Sequence, residues 1–337
     1  MTTQSRTFRQ TARSAPKNGY GSLGDEHREL LARVAEMYYE ANRTQSQIAS
    51  ELRYSRSMIS RFLTEAREAG VVEIRINHPL QRRMDLEAAL KERFGLQAVR
   101  VLAHTSTQYP VMLRRLGGLA ASVVADQIHD GDVVGVTWGL SLADTVAAMR
   151  PEPRKGVIVA QMIGSLGTLN PDNDGPELTR KLARALGAEY RTLPAPLFVD
   201  SEQARELLVR GKPIRQVLNL ARKTRVLVAG IGSTDLDNST LVKEGMLTRE
   251  QATQLLRAGA VGDMCARHFN RDGKILDTAL SHHMIGIDEA RMRAIPTRIG
   301  VAGGATKIAP VLGALRGKLI NVLVTDEIAA TGVLGAI

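Results

Sequence analysis

A chain of 337 residues, 44% hydrophobic and 24% charged, has room for a small module beside one large domain. Apolar runs such as 226–231 and 319–324 have strand length and fall far short of a membrane span, and the N-terminus lacks the apolar core of a secretory signal. A lone cysteine, Cys265, excludes a disulfide framework and a thiolate metal site; a cytoplasmic protein without metal or cofactor is expected.

The net charge of +10 points to a polyanionic partner. Residues 1–83 hold 14 Lys/Arg against 9 Asp/Glu, and the rest of the chain 31 against 26, so half the excess lies on a quarter of the length. Residues 1–24 carry Arg6, Arg9, Arg13 and Lys17 and no acid. Such a segment is either a basic arm following a phosphate backbone or a disordered solubilising tail.

Residues 25–41 step Leu30, Leu31, Val34, Met37, Tyr38 and Ala41 along one helix face. Thr44 then caps a short second helix over 45–52, with Ile48, Ala49 and Leu52 inward. After the turn Arg53-Tyr54, Ser55 caps a third helix that buries Met58, Ile59, Phe62, Leu63 and Ala66 and stops at Gly70. The alternating segment 71–76 reads as a small β wing. Two helices joined by a tight turn form a helix-turn-helix pattern, with small Ala49 where they cross. Arg53 occupies the turn position where glycine is commonest, which implies slight backbone strain. Ser55, Arg56, Ser57, Ser60 and Arg61 lie on the outer face of the third helix, with Thr44 and Gln45 at the start of the second. Hydroxyls and helix N-termini anchor phosphates, and Arg reaches guanine edges, so these seven residues form the candidate DNA face. Residues 25–77 are thus assigned to DNA binding.

His78-Pro79 closes the wing, and an amphipathic helix over 81–94 (Met84, Leu86, Ala89, Leu90, Phe94) makes 78–97 a linker. From 98 to 337, β-rich runs at 98–103, 133–136, 157–162, 189–193, 225–229, 298–301 and 319–324 alternate with helices near 112–129, 141–149, 177–186, 202–221, 248–258 and 305–316. This alternation predicts an α/β domain with a parallel sheet covered on both faces, whose ligand sits beyond the C-terminal strand ends.

Four strand-end segments fit that place. Thr137-Trp138-Gly139-Leu140-Ser141 leaves a strand and enters a helix, and Gly230-Ile231-Gly232-Ser233 follows the same logic of exposed amides and hydroxyls. In 259–264, Asp263 follows tight turns as an acceptor for sugar hydroxyls. In Gly303-Gly304-Ala305-Thr306-Lys307, the lysine stands one turn into a helix. Asp172-Asn173-Asp174-Gly175 lacks the spacing of a calcium loop, and Asp174 with Glu177 reads as a helix capping box.

The chain resembles the SorC family of sugar-responsive regulators over about residues 28–335. The resemblance rests on Leu193-Pro194-Ala195-Pro196-Leu197-Phe198-Val199-Asp200, on 259–265, on Ile299-Gly300-Val301-Ala302-Gly303-Gly304 followed by Lys307, and on Ile320-Asn321-Val322-Leu323-Val324-Thr325-Asp326-Glu327. It implies an effector domain akin to sugar-phosphate isomerases and deaminases, a homo-oligomer (dimer or tetramer), and operator DNA binding controlled by a phosphorylated sugar or a polyol. By the same resemblance Thr137, Trp138, Gly139 and Ser141 correspond to a phosphate loop, Asp263 to a hydroxyl acceptor and Lys307 to a phosphate-side cation. The alternative is an active isomerase or deaminase, which carries Gly-x-Gly-x-Asp-Gly-His. Here the comparable stretch, 230–236, lacks the Gly-His pair, and His282 and His283 would face apart on a strand, so no enzyme is expected. A constitutive DNA-binding scaffold is a third reading, against which Asp263 and Lys307 argue.

Overall fold

The computed structural model describes residues 25–72, 81–103, 108–167 and 171–336, in two compact units, Met1–His78 and Pro79–Ile337. The basic segment 1–24 and His78-Pro79 lie outside the described residues, as does most of the expected wing, 73–76.

In the first unit, α1 (Asp25–Ala35), α2 (Gln45–Leu52) and α3 (Arg56–Glu68) enclose a core of Leu31, Val34, Ile48, Ile59, Leu63 and Ala66. The expected single helix over 25–41 loosens at Glu36–Glu40 into a π turn, and Asn42 in the left-handed region ends it. Thr44 caps α2 reciprocally: its hydroxyl accepts from the Gln47 N–H, and the Gln47 side chain accepts from the Thr44 N–H at 2.9 Å. Ser55 caps α3 by accepting from the Met58 N–H at 3.1 Å. Between them Arg53 ends α2 at φ 58° and ψ 38°, the strained conformation its position implied.

The second unit opens with α4 (Met84–Phe94), shorter than the expected 81–94. Seven parallel strands follow: β1 (Ala98–Leu102), β2 (Val133–Val136), β3 (Ile158–Gln161), β4 (Glu189–Arg191), β5 (Thr224–Gly230), β9 (Thr297–Val301) and β10 (Val322–Asp326). Their order is β1-β10-β9-β5-β2-β3-β4. Both faces are covered, so alternate residues of one strand serve opposite cores. Val226 and Val228 join the cluster under α5 (Tyr109–Gln127), α6 (Leu140–Ala147) and α7 (Gly175–Leu186), while Leu227 and Ala229 join the other. That second core also takes side chains of α4, α11 (Arg249–Arg257), α14 (Ile308–Arg316) and α15 (Glu327–Gly335). Close α5–α6 packing depends on Gly117, where a Cβ would stand 2.5 Å from the Asp144 backbone.

The remaining elements correct the sequence-based picture. The expected helix over 202–221 is two, α8 (Glu202–Arg210) and α9 (Lys212–Leu220), because the chain turns at Gly211 and Pro213 begins afresh. Segment 259–264 is a strand rather than a strand-end turn: β6 (Gly232–Ser233), β7 (Ala260–Met264) and β8 (Arg267–Asn270) form a small antiparallel sheet. The β7–β8 hairpin turns on Cys265 and Ala266, both at positive φ (54° and 57°), the twist that suits a two-residue loop. Three short helices, α10 (Thr240–Lys243), α12 (Ala279–His283) and α13 (Glu289–Ala294), and α15 had no clear signal. His282 and His283 lie on α12, not on a strand. Asp174 caps α7 without the expected box: its carboxylate accepts from the Leu166, Gly167 and Gly175 N–H groups, and Glu177 pairs with Arg180. Among the described residues no helix is long and apolar enough to cross a membrane.

Replacing Arg53 with glycine removes the left-handed penalty, so Arg53→Gly is expected to stabilise the first unit by about 0.5–1 kcal/mol. Urea unfolding followed by helix circular dichroism measures it, and a lower midpoint contradicts the strain.

Candidate functional site

The chain winds outward in both directions from the adjacent strands β2 and β5, through β3 and β4 on one side and β9 and β10 on the other. At such a reversal the loops leaving the strand ends diverge and leave a crevice. A cavity of about 440 Å³ occupies it, at the C-terminal ends of β2, β5 and β9.

The first wall is the loop from β2 into α6. Thr137 and Trp138 are buried, the Thr137 N–H continues the ladder to the Val228 carbonyl, and Gly139 opens α6 at φ 132°, a conformation that side chains rarely adopt. Ser141 donates its hydroxyl to the Val301 carbonyl at 3.0 Å, pinning α6 to the end of β9. Amides at the start of α6 therefore face the cavity in a fixed frame.

The second wall comes from the small sheet. Gly232 pairs with Asp263 across β6 and β7, and a Cβ on Gly232 would stand 1.8 Å from Asp263 Oδ1. Only glycine lets the carboxylate lie there. Burial raises the Asp263 pKa, against the opposing pull of His268, Lys307 and the Ala266 N–H. His268, opposite Asp263 on β8, is pushed down by burial while Asp263 opposes the shift. The Cys265 thiol is pushed up to about 12 by burial and is thereby kept protonated.

The third wall is the turn after β9. Asp326, fully buried, accepts from the Gly304 N–H at 2.8 Å and the Ala329 N–H at 3.1 Å, which locks the Gly303-Gly304 turn to α15. Lys307 closes the single 3₁₀ turn Ala305–Lys307 that precedes α14, and its ammonium donates to the Ile231 carbonyl at 2.8 Å. Burial lowers the Lys307 pKa to about 8; Asp263 opposes that shift and Lys243 adds to it. An ammonium and a carboxylate thus line one cavity with helix and loop amides, an arrangement whose donors suit an anion and whose acceptor suits hydroxyls.

Of the residues expected here, Thr137, Trp138, Gly139, Ser141, Gly232, Asp263 and Lys307 line the cavity. Ser233 does not: next to Gly232 on a strand it faces the other way, buried, and its hydroxyl accepts from the Asp235 N–H. Tyr109, Asn238, Lys243 and Glu244 line the cavity without having been expected, since none sits in a glycine-rich strand end. Burial, then the Asp326 and Asp144 carboxylates, push the Tyr109 phenol up.

In the first unit Thr44, Ser55, Arg56, Ser57, Ser60 and Arg61 are exposed and Gln45 is half-buried, so the candidate face is free to meet a partner. A depression at the start of α2 joins Thr44, Gln45 and Arg56 to Tyr39, Asn42, Arg43 and Ser46. Arg43, which had no motif to mark it, is held there by an ion pair with Glu51.

The family model described as "Putative sugar-binding domain" matches residues 78–335. The "Deoxyribonucleoside regulator" of Bacillus subtilis is 30% identical over 302 residues, covering 90% of this chain and 96% of that protein. The "Transcriptional regulator LsrR" of Klebsiella pneumoniae is 33% identical over 324 residues, covering 96% and 98%. Among solved structures, the full-length sorbitol operon regulator SorC from Klebsiella pneumoniae is similar with a TM-score of 0.68 at 30% identity, over 91% of this chain and 99% of that one.

Two outcomes are expected. Gly232→Ala drives a methyl into the Asp263 carboxylate, costing about 1–3 kcal/mol in a thermal or urea melt; an unchanged melt contradicts the close approach. An anion of fixed charge in the cavity favours charged Lys307, so its affinity is full well below pH 8 and falls up to about tenfold per pH unit above it. Calorimetric titration with inorganic sulfate, a dianion at every pH across a range of about three pH units around the lysine, measures this. A flat profile contradicts an anion against Lys307.

Proposed function

This chain belongs to the SorC family of transcriptional regulators, and from that premise we propose that a small phosphorylated sugar, or a polyol-derived ligand, controls its binding to operator DNA. The observation that carries the ligand class is the buried Asp263 carboxylate and the half-buried Lys307 ammonium lining one cavity: a carboxylate suits hydroxyls and an ammonium suits phosphate. The names of the relatives, a deoxyribonucleoside regulator and a sorbitol operon regulator, support ligands of this kind. Thr137, Trp138, Gly139, Ser141 and Gly232 supply the shape and amides around it.

Residues 25–77 are proposed as the DNA-binding part and 98–337 as the effector part; the 78–97 segment that joins them carries α4, which packs into the core of the second unit. Thr44, Gln45, Ser55, Arg56, Ser57, Ser60 and Arg61 meet the duplex, Arg56 and Arg61 as the cations able to reach base edges or phosphates. Ligand acts by population shift: a homodimer or homotetramer spaces its recognition helices to operator half-sites, and a ligand that binds one arrangement better shifts the balance. Catalysis is not part of this reading. Among the described residues no histidine lines the cavity, and His282 on α12 is engaged by Asp277 and Glu202.

A thermal-shift screen of phosphorylated sugars, free sugars and polyols identifies the ligand, because a native-state binder raises the melting temperature by mass action. Lys307→Ala is expected to weaken a phosphorylated ligand about 10–100-fold, as removal of a hydrogen bond to a charged group does, while ligand-free DNA binding persists. A ligand response equal to that of the unsubstituted chain contradicts the assignment, and turnover of any hit contradicts the regulator reading. Arg56→Ala with Arg61→Ala is expected to reduce the salt slope of DNA binding by about one for each phosphate left unneutralised. An unchanged slope contradicts the assigned face.

A further inference from the structure

The second unit, 79–337, carries 33 Lys/Arg against 26 Asp/Glu, and the excess is not spread over it. Between Glu206 and Asp235 there are six cations (Arg210, Lys212, Arg215, Arg222, Lys223 and Arg225) and no acid, so one segment accounts for six of the surplus of seven. Arg210 pairs with Glu206. The other five are exposed, and among the described residues none has a carboxylate at ion-pair distance.

The fold arranges these five on one ridge. Helix α9 buries Ile214 and Val217, which leaves Lys212, Arg215, Gln216 and Asn219 outward, and the turn after it continues the stripe to Arg222 and Lys223. From Lys212 to Arg222 the stripe runs about 15 Å at helical rise. Arg225 follows at the start of β5, whose far end, Gly230, borders the cavity roughly 15–20 Å away. The ridge is therefore separate from the effector site.

From this ridge we infer a second, sequence-independent contact with the DNA phosphate backbone on the effector unit, made by Lys212, Arg215 and Arg222 with Lys223 and Arg225 in support. The inference rests on the DNA-binding reading above. Its run of cations without one acid favours nucleic acid over a protein partner. The centre of a protein interface is poor in Lys and rich in apolar groups, whereas the outer face of α9 offers cations interleaved with the amides Gln216 and Asn219. Duplex phosphates advance about 3.4 Å along the axis per strand, so a ridge of this length spans about four of them.

The test compares the full chain with the combined variant Lys212→Gln, Arg215→Gln, Arg222→Gln, in fluorescence-anisotropy titrations of a long duplex of arbitrary sequence at a series of KCl concentrations. The variant is expected to show a slope of log K against log [KCl] shallower by about 2–3, near 0.9 for each phosphate no longer neutralised, and at least tenfold weaker binding at low salt. Its oligomeric state by light scattering and its titration with inorganic sulfate, followed by the fluorescence of Trp138, the single tryptophan and a lining residue of the cavity, should be unchanged. An unchanged slope overturns the inference; so does a drop in affinity that tracks dissociation of the assembly, which would assign the ridge to contact between copies. If the unsubstituted chain binds no duplex, the DNA-binding reading falls with it. If Arg56→Ala with Arg61→Ala lowers the slope and the ridge variant does not, only the inference falls.

Discussion

Asp263 lies over Gly232 with Lys307 in the same enclosed space, and much of the effector unit is built around that juxtaposition. The carboxylate needs a neighbour without a side chain, because a Cβ at 232 would stand 1.8 Å from its oxygen. It also needs a cation, because an unpaired buried charge is costly. Lys307 supplies one from another part of the fold, held by the Ile231 carbonyl at the end of β5. Burial drives the two groups toward their neutral forms, and each restrains the other. A site poised in this way gains from a ligand that brings its own charge and hydroxyls.

The parallel sheet makes this possible. Strands covered on both faces leave no room for polar groups along their length, so polar side chains gather where the strands stop. Because the strand order reverses between β2 and β5, the loops after β2 and β5 part to opposite faces and leave a crevice, which the turn after β9 also borders. The small antiparallel sheet then walls that crevice with β7. Asp326 locks the opposite side by serving α15 and the Gly303-Gly304 turn together.

Some of this was legible in the sequence because the signal is local. Thr44 and Ser55 cap helices by bonding to their own third neighbour, and Arg53 reveals its backbone by standing where glycine is favoured. Apart from β4, whose Glu189, Tyr190 and Arg191 are exposed at the sheet edge, the parallel strands announced themselves as short apolar runs, within three residues of their observed ends, because they are covered on both faces. Elsewhere the local signal was weak or pointed the wrong way. The glycines in 259–264 suggested a turn, yet Gly262 and Gly232 allow two strands and Pro310 to pack closely, which is a demand of packing and not of bending. α15, uncharged after Glu327, lacks the polar face by which an amphipathic helix is read, and no element was expected there.

The sequence by itself determined the two helix caps, the helical pair with its exposed Arg56 and Arg61, the α/β class, and the candidacy of Thr137 and Lys307, since each depends on neighbours a few residues away; Asp263 was reached through a turn that is in fact a strand. Tertiary structure alone decided that Ser233 turns from the cavity, that Tyr109, Lys243 and Glu244 face it, and that Asp263 and Lys307 share it. Those facts depend on strand register and on which elements meet at a sheet reversal, and contacts between residues dozens of positions apart leave no periodicity for a sequence to show.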